Sequence, residues 1–263
     1  MAWTTDIHLN FLKRDALEKF CQKILEPQPD ALLISGDIAE APSINSYLRT
    51  LENRLQIPIY FVLGNHDFYR GSISQVRESI IELTSHSRLL HWLPKAGVVE
   101  ITSETALVGH DTWADGRFGD YENSPVLLND YVLIEELSWL EKNERLMKIQ
   151  SLAEEAAAYL RTVLPNALEK YRRVIVLVHV PPFKESCWHE GRISDDNWLP
   201  HFSCKSVGDL LLEMMQQHTD REMLVLCGHT HGQGETQMLP NLLVKTGGAI
   251  YGKPAVQDLL LIE

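Results

Sequence analysis

The sequence predicts an α/β fold, a mostly parallel β-sheet with helices packed on it. Two observations carry this. Short apolar runs of strand length recur, several ended by a glycine, and between them lie segments whose apolar residues repeat with helical period. That order of strand, loop, helix and strand is the signature of βαβ units. The composition agrees: 44% of the 263 residues are apolar and 23% charged, with 15 glycines and 12 prolines, ordinary usage for a globular chain.

Met1 to Thr5 reads as the first strand. Asp15 to Leu25 places Ala16, Leu17, Phe20, Ile24 and Leu25 at helical spacing. Ala31 to Ser35 is a buried strand ended by Gly36, Ser43 to Leu55 a helix, and Ile59 to Leu63 a strand ended by Gly64. Ile73 to Leu83 is the next helix, followed by strands at Leu89 to Trp92, Gly97 to Ile101 and Ala106 to Gly109. From Asp111 to Asp130 the chain has no period and many turn formers, which predicts a long surface loop. Ser151 with Glu154 forms a capping box for an alanine-rich helix to Leu164, and Pro165 breaks or restarts it before Tyr171. Arg173 to His179 is a buried strand, Lys184 to Lys205 a second long loop, and Val207 to His218 an amphipathic helix. Met223 to Leu226, Asn241 to Thr246 and Leu259 to Ile262 are the closing strands. No linker or repeat interrupts the pattern, so residues 1–263 are expected to form a single domain.

The formal net charge of −12 disfavours a generic duplex-DNA binder, which needs a basic surface to displace counterions. No apolar run approaches the ~20 residues of a membrane span, and the longest clean one, Val174 to Val178, is strand length. Neither duplex DNA nor a membrane is an expected partner. Cys21, Cys187, Cys204 and Cys227 show no C-x-x-C spacing and no charged-then-apolar leader precedes them, which fits a reduced, cytoplasmic compartment.

Chemistry-bearing residues gather just past the strands: Asp6 with His8, Asp37, Asn65 with His66 and Asp67, His179, and His229 with His231. In a parallel sheet those strand ends open on one crevice. Extended backbone would put Asp6 and His8 on one face, and His229 and His231 likewise. Asp6, His8, Asp37, Asn65, His179, His229 and His231 supply seven nitrogen and oxygen donors and no thiolate, more than one cation can use. A carboxylate can bridge two cations ~3.5–4 Å apart, and such donors suit Mn, Fe, Zn or Ni rather than Ca or structural zinc. The set reads as a dinuclear metal site.

Singly these blocks say little. A histidine after VIVLV can be a core or capping residue, GNHD can be a turn, and Gly36, Gly64 and Gly228 can be punctuation or positions of close approach. His110 and Asp111 also follow a strand, as rim residues or as turn and hydrogen-bonding groups. Trp113, Asp115, Arg117, Trp188, His189, Arg192 and His201 lie in the two long loops, where they either stack a base and pair with phosphate or form a small core of the loops' own.

Together, DIH (Asp6 to His8), GD (Gly36, Asp37), GNHD (Gly64 to Asp67), His179 in VLVHVPP and GHTH (Gly228 to His231) resemble, in order, five blocks of the calcineurin-like metallophosphoesterases, spanning Met1 to Gly232. The resemblance implies a four-layer α-β-β-α sandwich, with two facing mixed β-sheets flanked by helices. It implies two divalent or trivalent metal ions, Mn or Fe favoured. Asp6, His8 and His231 would hold one, Asn65, His179 and His229 the other, with Asp37 bridging. His66 is then free of metal, for transition-state stabilisation or protonation of the leaving oxygen, with Asp67 as its orienting partner. An imidazole with an unperturbed pKa near ~6.5 can donate a proton at neutral pH.

The reaction implied is hydrolysis of a phosphate ester by a metal-bridging water, without a covalent enzyme intermediate. The short DIHL and H-x-P-P blocks are similar to the cyclic-nucleotide phosphodiesterase branch, so the expected substrate is a small phosphorylated compound or nucleotide and the expected activity a phosphodiesterase or nucleotide hydrolase. A phosphomonoesterase is the alternative within the class, and a catalytically inactive scaffold the alternative outside it. Asp37 is followed by IAEAP rather than the GD-x-x-DRG of protein phosphatases, which argues against that activity. Only five residues precede Asp6, so the first strand is expected to have a frayed edge.

Overall fold

Two β-sheets face each other in the computed structural model, which describes residues 1–262. The first half of the chain runs β1 (Ala2–Thr4), α1 (Arg14–Leu25), β2 (Leu32–Ser35), α2 (Ile44–Leu55), β3 (Ile59–Val62), α3 (Ile73–Ser85) and β4 (Leu90–Trp92). The short α4 (Leu93–Ala96) leads to β5 (Val99–Glu100) and β6 (Thr105–His110), and then come α5 (Asp130–Leu133), α6 (Lys142–Lys170) and β7 (Arg173–Val178). The chain continues through β8 (Trp188–His189), β9 (Arg192–Ile193), α7 (Leu199–Phe202), α8 (Lys205–Gln217), β10 (Glu222–Cys227), β11 (Gly234–Leu239), β12 (Leu242–Thr246) and β13 (Asp258–Leu259).

One sheet has the order β13-β1-β2-β3-β4 and the other β11-β12-β10-β7-β6-β5. Their central strands are parallel, while β13, β11 and β5 pair antiparallel to β1, β12 and β6, so both sheets are mixed. Strand side chains alternate between two apolar layers, as the period of two requires. Leu32 and Ile34 meet α1, α2 and α3 on the outside of the first sheet, while Leu33 between them points to the facing sheet with Trp3, Val62, Ile175 and Leu177. Val174, Val176 and Val178 meet α6 and α8 on the other outer face. Burial on both faces explains why these strands read as continuous apolar runs. The expected four-layer sandwich is the fold found.

Several local expectations are corrected. The first strand is not frayed: β1 is buried and paired on both sides, to β2 and β13. The long helix starts at Lys142 rather than Ser151, because the Glu144 carboxylate accepts the Glu141 backbone N–H at 3.1 Å, and Pro165 lies inside the helix instead of breaking it. The strand β11 escaped the sequence pattern because GETQML, at a sheet edge, has no apolar run. Among the described residues no helix is long and apolar enough to cross a membrane.

Candidate metal centre

Every predicted ligand sits just past the C-terminal end of a strand: Asp6 and His8 after β1, Asp37 after β2, Asn65 after β3, His179 after β7, and His229 and His231 after β10. The pairs do not share a face through extended backbone. Asp6, His8, Asp37, His229 and His231 instead have left-handed backbone, with φ of 48°, 40°, 54°, 70° and 58°. Each such residue costs roughly 1–3 kcal/mol, and the conformation persists where the surroundings hold it and function uses it. These kinks turn each chain out of its strand and into the crevice. The glycines are positions of close approach: a Cβ on Gly228 would stand 2.0 Å from Asp6 Oδ2, and one on Gly36, itself at φ +95°, 2.5 Å from His179 Nδ1.

The ligand atoms form two clusters. In one, Asn65 Oδ1 is 3.0 Å from His179 Nε2 and 2.9 Å from His229 Nδ1, the two ring nitrogens are 3.2 Å apart, and Asp37 Oδ1 is 3.3 Å from His179 Nε2. The opposite ring nitrogens are already committed as donors, His179 Nδ1 to Ser35 O at 2.8 Å and His229 Nε2 to His201 O at 2.9 Å. The Asn65 amide is fixed too, its Nδ2 donating to Asp130 Oδ1 at 2.7 Å. Three lone pairs, of Asn65, His179 and His229, therefore face one another with no proton between them, and Asp37 Oδ1 adds a fourth donor atom beside them. That repels unless a cation takes the centre, and donors about 2.0–2.1 Å from one ion stand about 3.0–3.4 Å from each other. The donor set fits a metal ion.

In the second cluster His8 Nε2 is 3.2 Å from His231 Nε2, His231 Nε2 is 3.4 Å from Asp6 Oδ1, and Asp37 Oδ2 is 3.8 Å from His8 Nε2. Ligand atoms of Asp6, His8, Asp37 and His231 all lie within 4.8 Å of one another. Asp37 thus turns one oxygen to each cluster, the geometry of a bridge. Burial, opposed by the charge of Asp6, pushes His8 down to about 4, and burial with the charge of His179 pushes His229 to about 4. Those rings are neutral near pH 7, the form that binds metal. Burial and the charge of Asp6 push Asp37 well above the carboxylate range, whereas Asp6, despite its burial, is held below it by the hydrogen bond to His231 and the charges of the neighbouring histidines. Two buried carboxylates so close cannot both stay ionised without a cation.

His66 stands beside this centre. Its Nε2 is 3.9 Å from Asp37 Oδ2, its ring stacks on Tyr69 with centroids 4.1 Å apart, and its backbone N–H donates to Asp37 Oδ1 at 2.9 Å. Burial and the charge of His8 push His66 down to about 2, so near neutrality it offers one N–H as a neutral ring rather than a cation. The expected pairing with Asp67 is absent. Asp67 accepts backbone N–H groups instead, from Ile38 and Ala39 on Oδ1 and Gly64 on Oδ2, each at 2.8 Å, and so ties the loop after β3 to the loop after β2.

The other candidates divide as follows. Asp111 accepts from Leu63 N–H and Trp92 Nε1–H at 2.7 and 2.9 Å, and His110 is buried against Tyr159, so both are hydrogen-bonding and packing groups. Trp113 is buried against Phe68, and Arg117 pairs with Asp115 and Glu154. Trp198 packs with Phe202 in the loops' own small core, while His189, which packs against both, also lines the cavity at the centre, as Phe202 does. His201 reaches the site through its carbonyl alone, while Arg192 is exposed.

Sequence reasoning missed Tyr251 and Phe11. Their rings lie 5.0 Å apart and stand 48% and 53% exposed at the mouth of the centre, with Tyr251 4.6 Å from His8 and 5.1 Å from His231. Tyr251 sits on a loop without period, and Phe11 in a single turn of 3₁₀ helix. The cavity between Tyr251 and the ligands measures about 200 Å³ and is lined by Asn65, His66, Tyr69, Asp130 and His229 among others, with no lysine or arginine, and Phe11 stands beside Tyr251 outside this lining. A larger cavity of about 650 Å³ opens near the start of β2 and β3, beside Pro29, Tyr60 and Leu260, and contains none of the ligands.

A family model described as calcineurin-like phosphoesterase matches residues 1–233. No curated protein sequence matches. Among solved structures, phosphopantetheinyl hydrolase from Mycobacterium tuberculosis superposes with a TM-score of 0.68 at 14% identity, over 94% of this chain and 88% of that one. A dimetal phosphatase from Danio rerio gives 0.60 at 16% identity, over 95% of this chain and 87% of its own. TT1561 of Thermus thermophilus gives 0.54 at 17% identity, over 94% and 88%.

Proposed function

Because the chain belongs to the calcineurin-like phosphoesterase family, a family of metal-dependent phosphoester hydrolases, we propose that its own substrate is a small phosphodiester or a nucleotide, hydrolysed with two metal ions, Mn or Fe, that Asp6, His8 and His231 and Asn65, His179 and His229 would hold with Asp37. The observation that carries the reading is the pair of donor clusters joined by Asp37, whose two oxygens face His179 and His8. Two bound cations would supply Lewis-acid charge for the phosphate oxygens and an acidified water. The protein's own groups do the rest. His66 presents an N–H beside the centre, aimed by its stack on Tyr69, where negative charge grows on the phosphate or the leaving oxygen.

The aromatic ledge of Tyr251 and Phe11 supports an ester whose group beyond the phosphate is flat, since a cavity of about 200 Å³ leaves most of such a group outside, against those rings. With no lysine or arginine in the lining, recognition of the reacting phosphate falls to the ions and histidines. A small phosphorylated substrate, rather than duplex DNA or a membrane surface, suits a mouth of this size. Four buried, unpaired cysteines accord with a reducing, cytoplasmic setting.

Metal content and hydrolysis of bis-p-nitrophenyl phosphate and p-nitrophenyl phosphate after reconstitution with Mn²⁺ test the reading. Two ions per chain and faster diester turnover support it. Monoester preference replaces the diester with a phosphomonoesterase, and metal-free, inactive protein replaces the enzyme with a scaffold.

A further inference from the structure

The two donor clusters are supported differently, and the difference lies in α5. Asp130, 5% exposed, accepts from Asn65 Nδ2 at 2.7 Å and from Tyr69 OH at 2.6 Å, both on Oδ1. Its neighbour Tyr131 bonds His201 Nδ1 through its hydroxyl at 2.6 Å, and the His201 carbonyl is the group that holds His229 Nε2–H. One turn of helix thus orients two donors of the same cluster, Asn65 directly and His229 through His201. It also braces Tyr69, the ring on which His66 stacks. The turn is itself fixed by backbone bonds, Arg70 N–H to Leu133 O at 2.7 Å and Glu135 N–H to Gly71 O at 3.1 Å. The ligands of the other cluster, Asp6, His8 and His231, have no such contact with α5 among the described residues: Asp6 is held by Thr5 and the His229 backbone.

We propose that Asp130 and Tyr131 are positioning residues for the Asn65–His179–His229 ion alone, so that α5 sets the affinity of that ion independently of the other. The inference rests on the dinuclear reading above. Outer groups that orient metal ligands are worth about 10–100-fold in metal affinity, because a free amide or ring must be ordered when the ion binds. With Asp130 removed, the Asn65 amide keeps only the longer 3.3 Å bond from Nδ2 to the Tyr69 hydroxyl, which itself loses its acceptor, and can more easily turn to present nitrogen instead of oxygen. Without the Tyr131 hydroxyl, the His201 segment is less well fixed and His229 loses definition of the ring nitrogen it exposes.

The test is Mn²⁺ binding to the metal-free full chain, by titration and by electron paramagnetic resonance of the loaded protein. For Asp130→Ala the expected result is one ion bound as in the wild type and one weakened about 10–100-fold. The spectrum should change from that of a coupled pair to that of an isolated Mn²⁺. Asp130→Asn, which keeps an acceptor oxygen for Asn65, should restore the pair. Tyr131→Phe, which deletes only a hydroxyl and covers the case of a misfolded Asp130→Ala, should weaken the same ion by a smaller factor. Two ions at wild-type affinity in Asp130→Ala and Tyr131→Phe, or both ions weakened alike in them, overturns the proposal. A wild type that binds two ions but hydrolyses no ester would defeat the enzymatic reading and leave this one standing, whereas a wild type that binds fewer than two would defeat the dinuclear premise itself.

Discussion

Asp37 stands between the two donor clusters, its Oδ1 3.3 Å from His179 Nε2, while its other oxygen serves His8. A single carboxylate shared in this way makes both sites depend on one charge. Asp37→Asn keeps the shape and can still accept the His66 N–H, but it replaces one anionic oxygen with an amide nitrogen that donates. The expected outcome is loss of both ions, by more than the about 10–100-fold typical of an outer-sphere change, with turnover falling in step. Metal analysis after dialysis checks it, and two retained ions at wild-type affinity would remove the bridge.

His66 should separate from the ligands. Its ring leans on Tyr69 and reaches no nearer than 3.9 Å to Asp37 Oδ2, so His66→Ala leaves both donor clusters intact. The expected result is full metal content and a fall in turnover of about 10²–10³, the usual worth of one positioned hydrogen-bond donor to charge that develops in the reaction. Should His66→Ala emerge metal-free, the residue belongs among the ligands.

The contrast between His66 and Asp67 shows what could be read from the sequence. The ligands were legible because each is a polar residue directly after an apolar run, and the parallel order of the strands brings such positions together. Asp67 sits in the same block, yet its partners Ile38 and Ala39 come from another loop, which no local pattern reveals. Asp130 and Tyr251 were hidden for the same reason, on segments without period. The split into two sheets was equally nonlocal: alternation along β2 or β7 fixes which residues are buried, but pairing decides which sheet each strand joins, and that expectation came from the resemblance. The left-handed kinks at Asp6 and His8 were invisible because aspartate and histidine carry no conformational signal as strong as glycine's.

Tyr251 and Phe11 should decide selectivity. Stacking of a base on an aromatic side chain is worth about 1–3 kcal/mol, so removing the exposed Tyr251 ring should weaken a base-bearing ligand by about tenfold. Competitive inhibition by adenosine monophosphate and by ribose 5-phosphate measures this, since the two share a phosphate and differ in the base. Tyr251→Ala should bring the two inhibition constants together. A wild type that does not distinguish them, or a variant that keeps the wild-type gap, would exclude the ledge from substrate recognition.

Asp111 should give stability a pH dependence separable from that of the metal centre. It is buried, accepts from Leu63 N–H and Trp92 Nε1–H, and has Arg77 Nε 3.6 Å from Oδ2. Burial outweighs the Arg77 charge and raises Asp111 from 3.8 to about 6. Between those values the folded protein holds a proton that the unfolded chain has released, so stability falls as pH rises from about 4 to about 6 and is flat above. The interval corresponds to about 3 kcal/mol at most. Asp111→Asn keeps an oxygen for both donors and cannot titrate. Wild type and variant share the metal centre and its own pH dependence, so the difference between their unfolding free energies isolates Asp111. Urea unfolding of both holoproteins from pH 4 to pH 7 should show the wild type losing about 2–3 kcal/mol relative to the variant across the window. Parallel profiles would mean that Asp111 stays ionised throughout, held by Arg77 more strongly than burial opposes it.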